Sequence, residues 1–278
     1  MREAKVTVGG AVGHALSLFA AHWRALWGVL ALNALAATVT AAGRLTLNPL
    51  LLGVGVVMTG LFGLMLYGAL YRLAFADRHG EDPEFRPAQL GVQWRRTEWR
   101  LLLALLLQGV ALGFIALLLL LAAAAVLFGL FTAQGIDPAA TFKAPIDPSK
   151  LDPRALLPLA LAQLAVLAPL VYVGLRLSLV MPATADRKAV QVFRTWKWTR
   201  GQVLRILMAE MLMVLPFLLL NSLAGRTLAE AAGLSAGEAM ATAVALGIPS
   251  GAVLAPLSAG LAAYFYRNLA PPPERSPS

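Results

Sequence analysis

The amino-acid sequence predicts an all-α membrane protein with six transmembrane helices, and three observations lead to this prediction. Of the 278 residues, 59% are hydrophobic and only 13% are charged, which is more apolar side chain than one soluble core can bury. The apolar residues fall into six long stretches, each able to cross a hydrocarbon layer of about 30 Å as a helix. The basic residues fall mainly between alternate stretches, as the positive-inside rule requires.

The six spans are predicted at approximately 25–43, 50–71, 103–127, 155–181, 203–223 and 239–264. Asn48-Pro49 is a typical capped start for the second span. Ser235 with Glu238 three residues later has the pattern of a capping box before the sixth. We expect one polytopic domain over 1–270 and a proline-rich, disordered tail over 271–278.

The distribution of the basic residues predicts the orientation. A net charge of +9 would suggest an acidic partner for a soluble protein, so the positions of the charges decide. With the N-terminus inside, only five of the 23 basic residues lie outside, namely Arg44, Lys143, Lys150, Arg154 and Arg226. We therefore expect both termini in the cytoplasm and no nucleic-acid partner.

A basic, aromatic segment precedes each odd-numbered span, at approximately 8–23, 87–100 and 187–200. We interpret these segments as amphipathic helices at the cytoplasmic face that touch anionic headgroups. The chain would then consist of three parallel repeats of one interfacial helix and two spans. Interfacial preferences for Trp and Arg alone would give the same pattern, and that alternative stays open. The headgroup-facing residues are Trp23, Arg24, Trp94, Arg95, Arg96, Trp99, Arg100, Arg194, Trp196, Lys197, Trp198 and Arg200.

Small residues at intervals of four lie on one stripe of a helix and let helix backbones approach closely in lipid. Three predicted spans carry such stripes, and we expect them to pack within the bundle rather than to form a dimer. The residues are Gly55, Thr59, Gly63, Gly109, Gly113, Gly247, Gly251, Ala255 and Ala259.

The sequence contains no constellation typical of a catalytic or metal site. All six aspartates fall in predicted loops or at helix ends, which argues against an intramembrane aspartyl protease. The three histidines lack a zinc-binding spacing, the chain has no cysteine, and neither a phosphate-binding loop nor a nucleophile elbow is present. We expect a protein that is not an enzyme and has no cofactor and no metal.

Glu210 is the unusual residue, because it lies near the middle of the fifth predicted span. An ionised carboxylate facing lipid there would cost about 2.5 to 3.5 kcal/mol. We hypothesise an interhelical pair with Arg176, near the end of the fourth span. The alternative is an Arg176 side chain that reaches the interface and a neutral Glu210 bonded to Gln163, Asn221 or a backbone carbonyl.

One part of the chain carries a resemblance to a known family. The stretch Val171-Tyr172-Val173-Gly174-Leu175-Arg176-Leu177-Ser178-Leu179-Val180-Met181-Pro182, followed by Arg187-Lys188-Ala189-Val190 and Trp196-Lys197-Trp198-Thr199-Arg200-Gly201, resembles the membrane domain of some bacterial glycerophosphodiester phosphodiesterases. It is also similar to stand-alone six-helix proteins of the YciC type. The resemblance implies a multi-pass protein of the bacterial inner membrane, and it does not imply phosphodiesterase activity.

The sequence thus favours a non-enzymatic inner-membrane protein that organises or assists lipids or a membrane-protein partner. The alternative is a transporter or exporter of a small or lipid-like solute that uses a cavity near Glu210.

Overall fold

The computed structural model describes residues 6–80, 82–86, 88–133, 153–230 and 236–271. Helices make up 87% of the structure, and the described residues contain no strand. Five helical stretches among them are long and apolar enough to cross a membrane. The prediction of an all-helical chain with several apolar, membrane-length helices is therefore confirmed. The predicted tail over 271–278 lies, apart from residue 271, outside the described residues.

The helices are numbered here in chain order, and the described residues also contain two 3₁₀ turns and one π-helical segment. The 3₁₀ turns are Pro83–Phe85 and Gln89–Gly91, and the π-helical segment is Ser250–Leu254. The helices are α1 (Val8–Leu45), α2 (Pro49–His79), α3 (Arg96–Ala133), α4 (Pro153–Leu177), α5 (Val180–Asp186), α6 (Thr195–Trp198), α7 (Val203–Glu230), α8 (Ala236–Pro249) and α9 (Ala255–Leu269).

Helix α1 is one continuous helix of 38 residues, where the sequence predicted an interfacial helix over 8–23 and a separate span over 25–43. The Thr7 hydroxyl caps its start by accepting a hydrogen bond from the backbone N–H of Gly10 at 3.1 Å. No proline interrupts the stretch from Val8 to Leu45. At 1.5 Å per residue α1 is about 57 Å long, nearly twice the thickness of a hydrocarbon layer.

The other two predicted interfacial helices are largely irregular in the structure. In the second segment, Leu90 and Gly91 have positive φ angles of 63° and 71°, and the helix begins only at Arg96. In the third segment only Thr195–Trp198 is helical, and Lys188 has a φ angle of 52°. The expectation of continuous amphipathic helices over 87–100 and 187–200 is thus corrected, because left-handed residues interrupt both segments.

The described chain divides into two compact units, where the sequence predicted one domain. The larger unit comprises Met1–Leu105 and Ser178–Ser278. Within it α1 packs against α2 along one side, and against α8, the π-helical segment and α9 along another. Glycines lie at several of these contacts. A Cβ atom at Gly55 would lie 2.7 Å from the Thr40 Cα atom, and one at Gly251 would lie 2.7 Å from the Ala34 Cα atom.

The smaller unit, Leu106–Leu177, is built from most of α3 and from α4. Leu127 and Phe131 form its buried cluster, against which Leu159 and Ala162 pack. An apolar groove of about 450 Å³ lies beside this cluster between the two helices. Most α3 side chains in this unit are exposed, as expected for a helix that faces lipid.

Candidate functional site

A fully buried ion pair joins α2 to the start of α3. The Arg72 Nη1 atom lies 2.7 Å from the Glu98 Oε1 atom, and both side chains are 0% exposed. The two atoms are close enough to pair, although their geometry is not that of a regular hydrogen bond. A lone charge at this burial would cost several kcal/mol, so each charge depends on the other.

The second carboxylate oxygen of Glu98 defines where α3 begins. Glu98 Oε2 accepts a hydrogen bond of 2.7 Å from the backbone N–H of Arg95. This is one half of a capping box, in which the third residue of a helix bonds back to the residue before the helix. Gly68, one turn before Arg72, makes the space, because a Cβ atom there would collide with Glu98 Oε1.

A second buried acid, Asp186, lies at the end of α5 and collects three donors from two other helices. Arg78 Nη1 donates to its Oδ2 atom at 3.1 Å, and the Tyr266 hydroxyl donates to the same oxygen at 2.8 Å. His79 Nε2 lies 3.0 Å from its Oδ1 atom. Asp186, Arg78, His79 and Tyr266 are called the Asp186 cluster below. Both oxygens of its carboxylate have partners, so Asp186 joins the ends of three helices.

Contacts around the cluster hold the loops that follow α2 and α5. The Arg187 guanidinium lies 4.7 Å from the centre of the Trp198 ring, and its Nη2 atom donates to the Pro271 carbonyl at 2.8 Å. Lys188 is paired with Asp82. The hydrogen bond from the Lys188 ammonium group is the main reason that the pKa of the Asp82 carboxyl lies below its usual value. The basic aromatic segment over 187–200 is therefore tied to residues just after α2 and α9.

The predicted headgroup-facing residues differ in exposure. Trp99 is 61% exposed, and Trp23, Arg24, Arg96, Arg194, Trp196, Lys197 and Arg200 are also exposed. Trp94, Arg95, Arg100 and Trp198 are half-buried and make internal contacts. Arg95 donates to the Pro83 carbonyl at 2.6 Å, and Arg100 pairs with Glu84 at 3.0 Å. Phe193, which the sequence analysis did not single out, is 78% exposed beside Arg194.

Glu210 lies on α7 and is half-buried. Within the described residues its carboxyl makes no hydrogen bond or ion pair, and it lies within electrostatic range of the Tyr67 and Tyr71 hydroxyls on α2. Arg176 lies near the end of α4, with its guanidinium 5.7 Å from the centre of the Tyr172 ring. Because Arg176 and Glu210 belong to different compact units, their pairing stays a prediction.

The predicted packing residues fall into two groups. Gly55 and Gly251 touch α1 as described above, Gly247 meets the backbone of Thr38, and Thr59 shares a hydrogen bond of 3.1 Å with Thr40. Gly63 lies opposite Asn33, Ala259 is buried, and Ala255 is half-buried. A Cβ atom at Gly109 or Gly113 would meet no atom within 4 Å in the described part of the chain.

Sequence reasoning missed the two buried acids and their partners. Arg72 and Arg78 were placed only among the cytoplasmic basic residues, and Asp186 only among the aspartates in loops or at helix ends. The sequence did indicate that Arg72 belongs to α2 rather than to a loop, because Arg72 directly follows the apolar stretch of that helix. Nothing in the local sequence identifies Glu98 or Tyr266 as a partner.

The described residues contain no group of three or more His, Asp or Glu side chains that could hold a metal ion. Comparison with protein-family models, curated proteins and solved structures found no match. The resemblance to the phosphodiesterase membrane domain and to YciC-type proteins therefore stays a prediction.

Proposed function

We propose that this chain is a non-enzymatic, multi-pass protein of the bacterial inner membrane that binds anionic lipid headgroups at its cytoplasmic face. In this proposal the chain thereby organises lipids or assists a membrane-protein partner. The observation that carries it is a set of exposed aromatic and basic side chains on segments that ion pairs and hydrogen bonds hold to the ends of packed helices. Trp99, Phe193 and Trp196 with Arg194 and Lys197 combine an apolar anchor with a positive charge, which suits an anionic interface.

Contacts between helix ends in the larger unit support six spans with both termini on one side. Tyr264 near the end of α9 lies beside His14 near the start of α1, with ring centres 5.7 Å apart. The Asp186 cluster joins the ends of α2, α5 and α9, and Glu98 joins the start of α3 to α2. If the helix ends joined by these contacts lie on one side of the membrane, the chain between any two of them crosses the membrane an even number of times. Helix α7 then crosses once if α8 and α9 together cross once.

The proposed parallel repeat has weaker support. Each of the three basic aromatic segments leads into an apolar helix, as the repeat requires, but the segments have different local structures. We therefore propose the repeat as an arrangement of spans, related by rotation about the membrane normal, rather than as three similar folds.

The headgroup proposal is tested by lipid selectivity in vesicles of phosphatidylcholine and phosphatidylglycerol. Spin-labelled phosphatidylglycerol should be immobilised by the protein more than spin-labelled phosphatidylcholine, and less so at high salt because screening weakens the attraction. Replacing Arg96, Arg194, Lys197 and Arg200 together by Gln should remove most of this preference, since each basic residue near an anionic surface contributes about 1 kcal/mol.

Arg44→Gln is the matched control, because Arg44 is exposed at the opposite end of α1. It should leave the selectivity of the cytoplasmic leaflet unchanged. An unchanged preference in the fourfold variant, or equal effects of the fourfold variant and the control, would contradict the proposal.

The alternative function is transport of a small or lipid-like solute through a cavity near Glu210. It is favoured by one observation, the absence of a partner for the Glu210 carboxyl among the described residues. The chain has no cysteine, so Glu210→Cys is a unique label site. A membrane-impermeant maleimide should modify it if a water-filled cavity reaches this depth, and Arg200→Cys, an exposed position in the segment before α7, should react as a positive control.

A further inference from the structure

The α-helical hydrogen-bonding pattern of the last apolar stretch is broken in its middle. Between α8 and α9, residues Ser250–Leu254 form a π-helical segment in which the Ala255 N–H bonds to the Ser250 carbonyl, five residues back. The break lies between two prolines, Pro249 and Pro256. Single π-helical turns are rare inside helices and are frequent at functional positions.

Pro256 leaves one carbonyl of this segment without its donor. In the five-residue bonding pattern the Gly251 carbonyl would accept from the N–H of residue 256, and proline has no N–H. A free carbonyl at membrane depth has no water to bond, so another donor is required.

Asn33 on α1 supplies that donor. Its Nδ2 atom donates to the Gly251 carbonyl at 2.8 Å, and the side chain is 3% exposed. Only the nitrogen of the amide can donate to a carbonyl, so the orientation of the amide is determined. Gly251 makes the approach possible, because a Cβ atom there would lie 2.7 Å from the backbone carbonyl oxygen of Asn33.

The Asn33 amide is only half satisfied in this arrangement. Its Oδ1 atom is buried and accepts no hydrogen bond from the described residues. On that side it faces α2, where a Cβ atom at Gly63 would lie 3.7 Å away. An unmet acceptor reduces the net gain from the bond to Gly251.

We propose that residues 250–254 are a hinge in the last apolar helix, and that Asn33 is the latch that holds the hinge in the observed π-helical geometry. Loss of this bond leaves the Gly251 carbonyl without a donor, so the segment can change its hydrogen-bonding pattern and with it the angle between α8 and α9. Helix α8 contacts α7, so this motion moves α8 relative to the helix that carries Glu210. The proposal depends on neither headgroup binding nor transport.

The latch is tested by a double-mutant cycle on the full chain in nanodiscs. Asn33→Leu removes the donor without leaving a large cavity, and it should lower the ratio of folded to unfolded protein roughly 3- to 30-fold. Pro256→Ala restores a backbone N–H at position 256. In that background Asn33→Leu should have almost no effect, because the Gly251 carbonyl has its own donor.

Thr38→Val is the matched control, because Thr38 lies on the same side of α1 but bonds to the Ala34 carbonyl of its own helix. Its effect should be the same in both backgrounds. If Asn33→Leu alone fails to fold, recovery of folding in the double variant supports the latch. Equal losses in the two backgrounds, or failure to fold in both, would overturn it.

The hinge is tested by distances across it. Met240 and Asn268 are exposed on α8 and α9, and the distance between spin labels on cysteines at these positions depends on the angle between the two helices. The distance distribution should broaden or shift in Asn33→Leu. In the Pro256→Ala background, Asn33→Leu should leave the distance distribution unchanged. A distance distribution that is unchanged by Asn33→Leu would show that the angle between α8 and α9 does not depend on the latch, and would contradict the hinge.

Discussion

At the residue scale, Arg72 and Glu98 set the strongest constraint on substitution in the larger unit. Two opposite charges buried together stabilise less than their attraction suggests, because both lose their hydration. Removing one charge is a different matter, since it leaves the other uncompensated. The energetic effect of either residue therefore depends on whether its partner is present.

Glu98→Gln should destabilise the protein by about 3 to 5 kcal/mol, because it isolates the Arg72 charge. Gln retains an acceptor for the Arg95 N–H, so the start of α3 is kept. The combined variant with Arg72→Met should lose clearly less than the sum of the single losses. Unfolding in mixed micelles measures each value.

Glu84→Gln is the control for this pair, because the Glu84–Arg100 bridge is partly exposed. It should cost about 1 kcal/mol or less. Additive effects of Glu98→Gln and Arg72→Met would contradict a direct interaction between the two side chains.

The Asp82–Lys188 bridge predicts a pH effect with a definite sign. The pKa of Asp82 is below its ordinary 3.8 in the folded protein, so its contribution to stability is present above that value and disappears as the pH falls further. The difference in Tm between the wild type and Lys188→Met should be constant from neutral pH to about 5 and should vanish on acidification. If Lys188→Met gives the same pH-dependent difference in Tm in an Asp82→Asn background, the bridge is not its origin.

Residue-scale prediction from the sequence succeeded for local features and failed for long-range ones. Asn48 caps α2 as expected, because a cap involves neighbouring residues only. Asp186 and Tyr266 are 80 residues apart, and no periodicity reports such a contact. Their pairing depends on how three helices end at one place, which only the fold determines.

At the element scale, α2 contains glycines of two kinds that look alike in the sequence. Gly68→Ala should destabilise the protein and weaken the Arg72–Glu98 pair, because the added methyl group collides with the Glu98 carboxylate. Gly60→Ala on the same helix should be neutral or slightly stabilising, since no described atom lies within 4 Å of its Cβ position and alanine favours helix.

The comparison of Gly68→Ala and Gly60→Ala by thermal unfolding separates packing from helix propensity. Equal Tm shifts would mean that the space beside Gly68 is not filled by Glu98 in the membrane.

Elements were predictable where length and apolarity alone decide them. The apolar stretches became helices, and the capped start of α2 agrees with the structure. The basic aromatic segments were mispredicted because helical spacing of Trp and Arg does not reveal backbone interruptions. The left-handed Leu90 and Lys188 are held by tertiary contacts that the sequence pattern does not contain.

At the scale of the whole molecule, the number of crossings decides on which side α9 ends. Single cysteines at Arg44, Phe193 and Asn268 test it, because the natural chain has none. With six spans, an impermeant maleimide should label Arg44→Cys in intact cells and should label Phe193→Cys and Asn268→Cys only after permeabilisation. Labelling of Asn268→Cys in intact cells would mean that α7 does not cross.

The Asp186 cluster has a consequence for biogenesis. Its members come from α2, α5 and α9, so the carboxylate is buried and complete only after residue 266 has been synthesised and inserted. Until then Asp186 has Arg78 and His79 but lacks the tyrosine hydroxyl and the cover of the last helix. A chain interrupted before α9 therefore presents an incompletely paired charge, which distinguishes an unfinished molecule from a finished one.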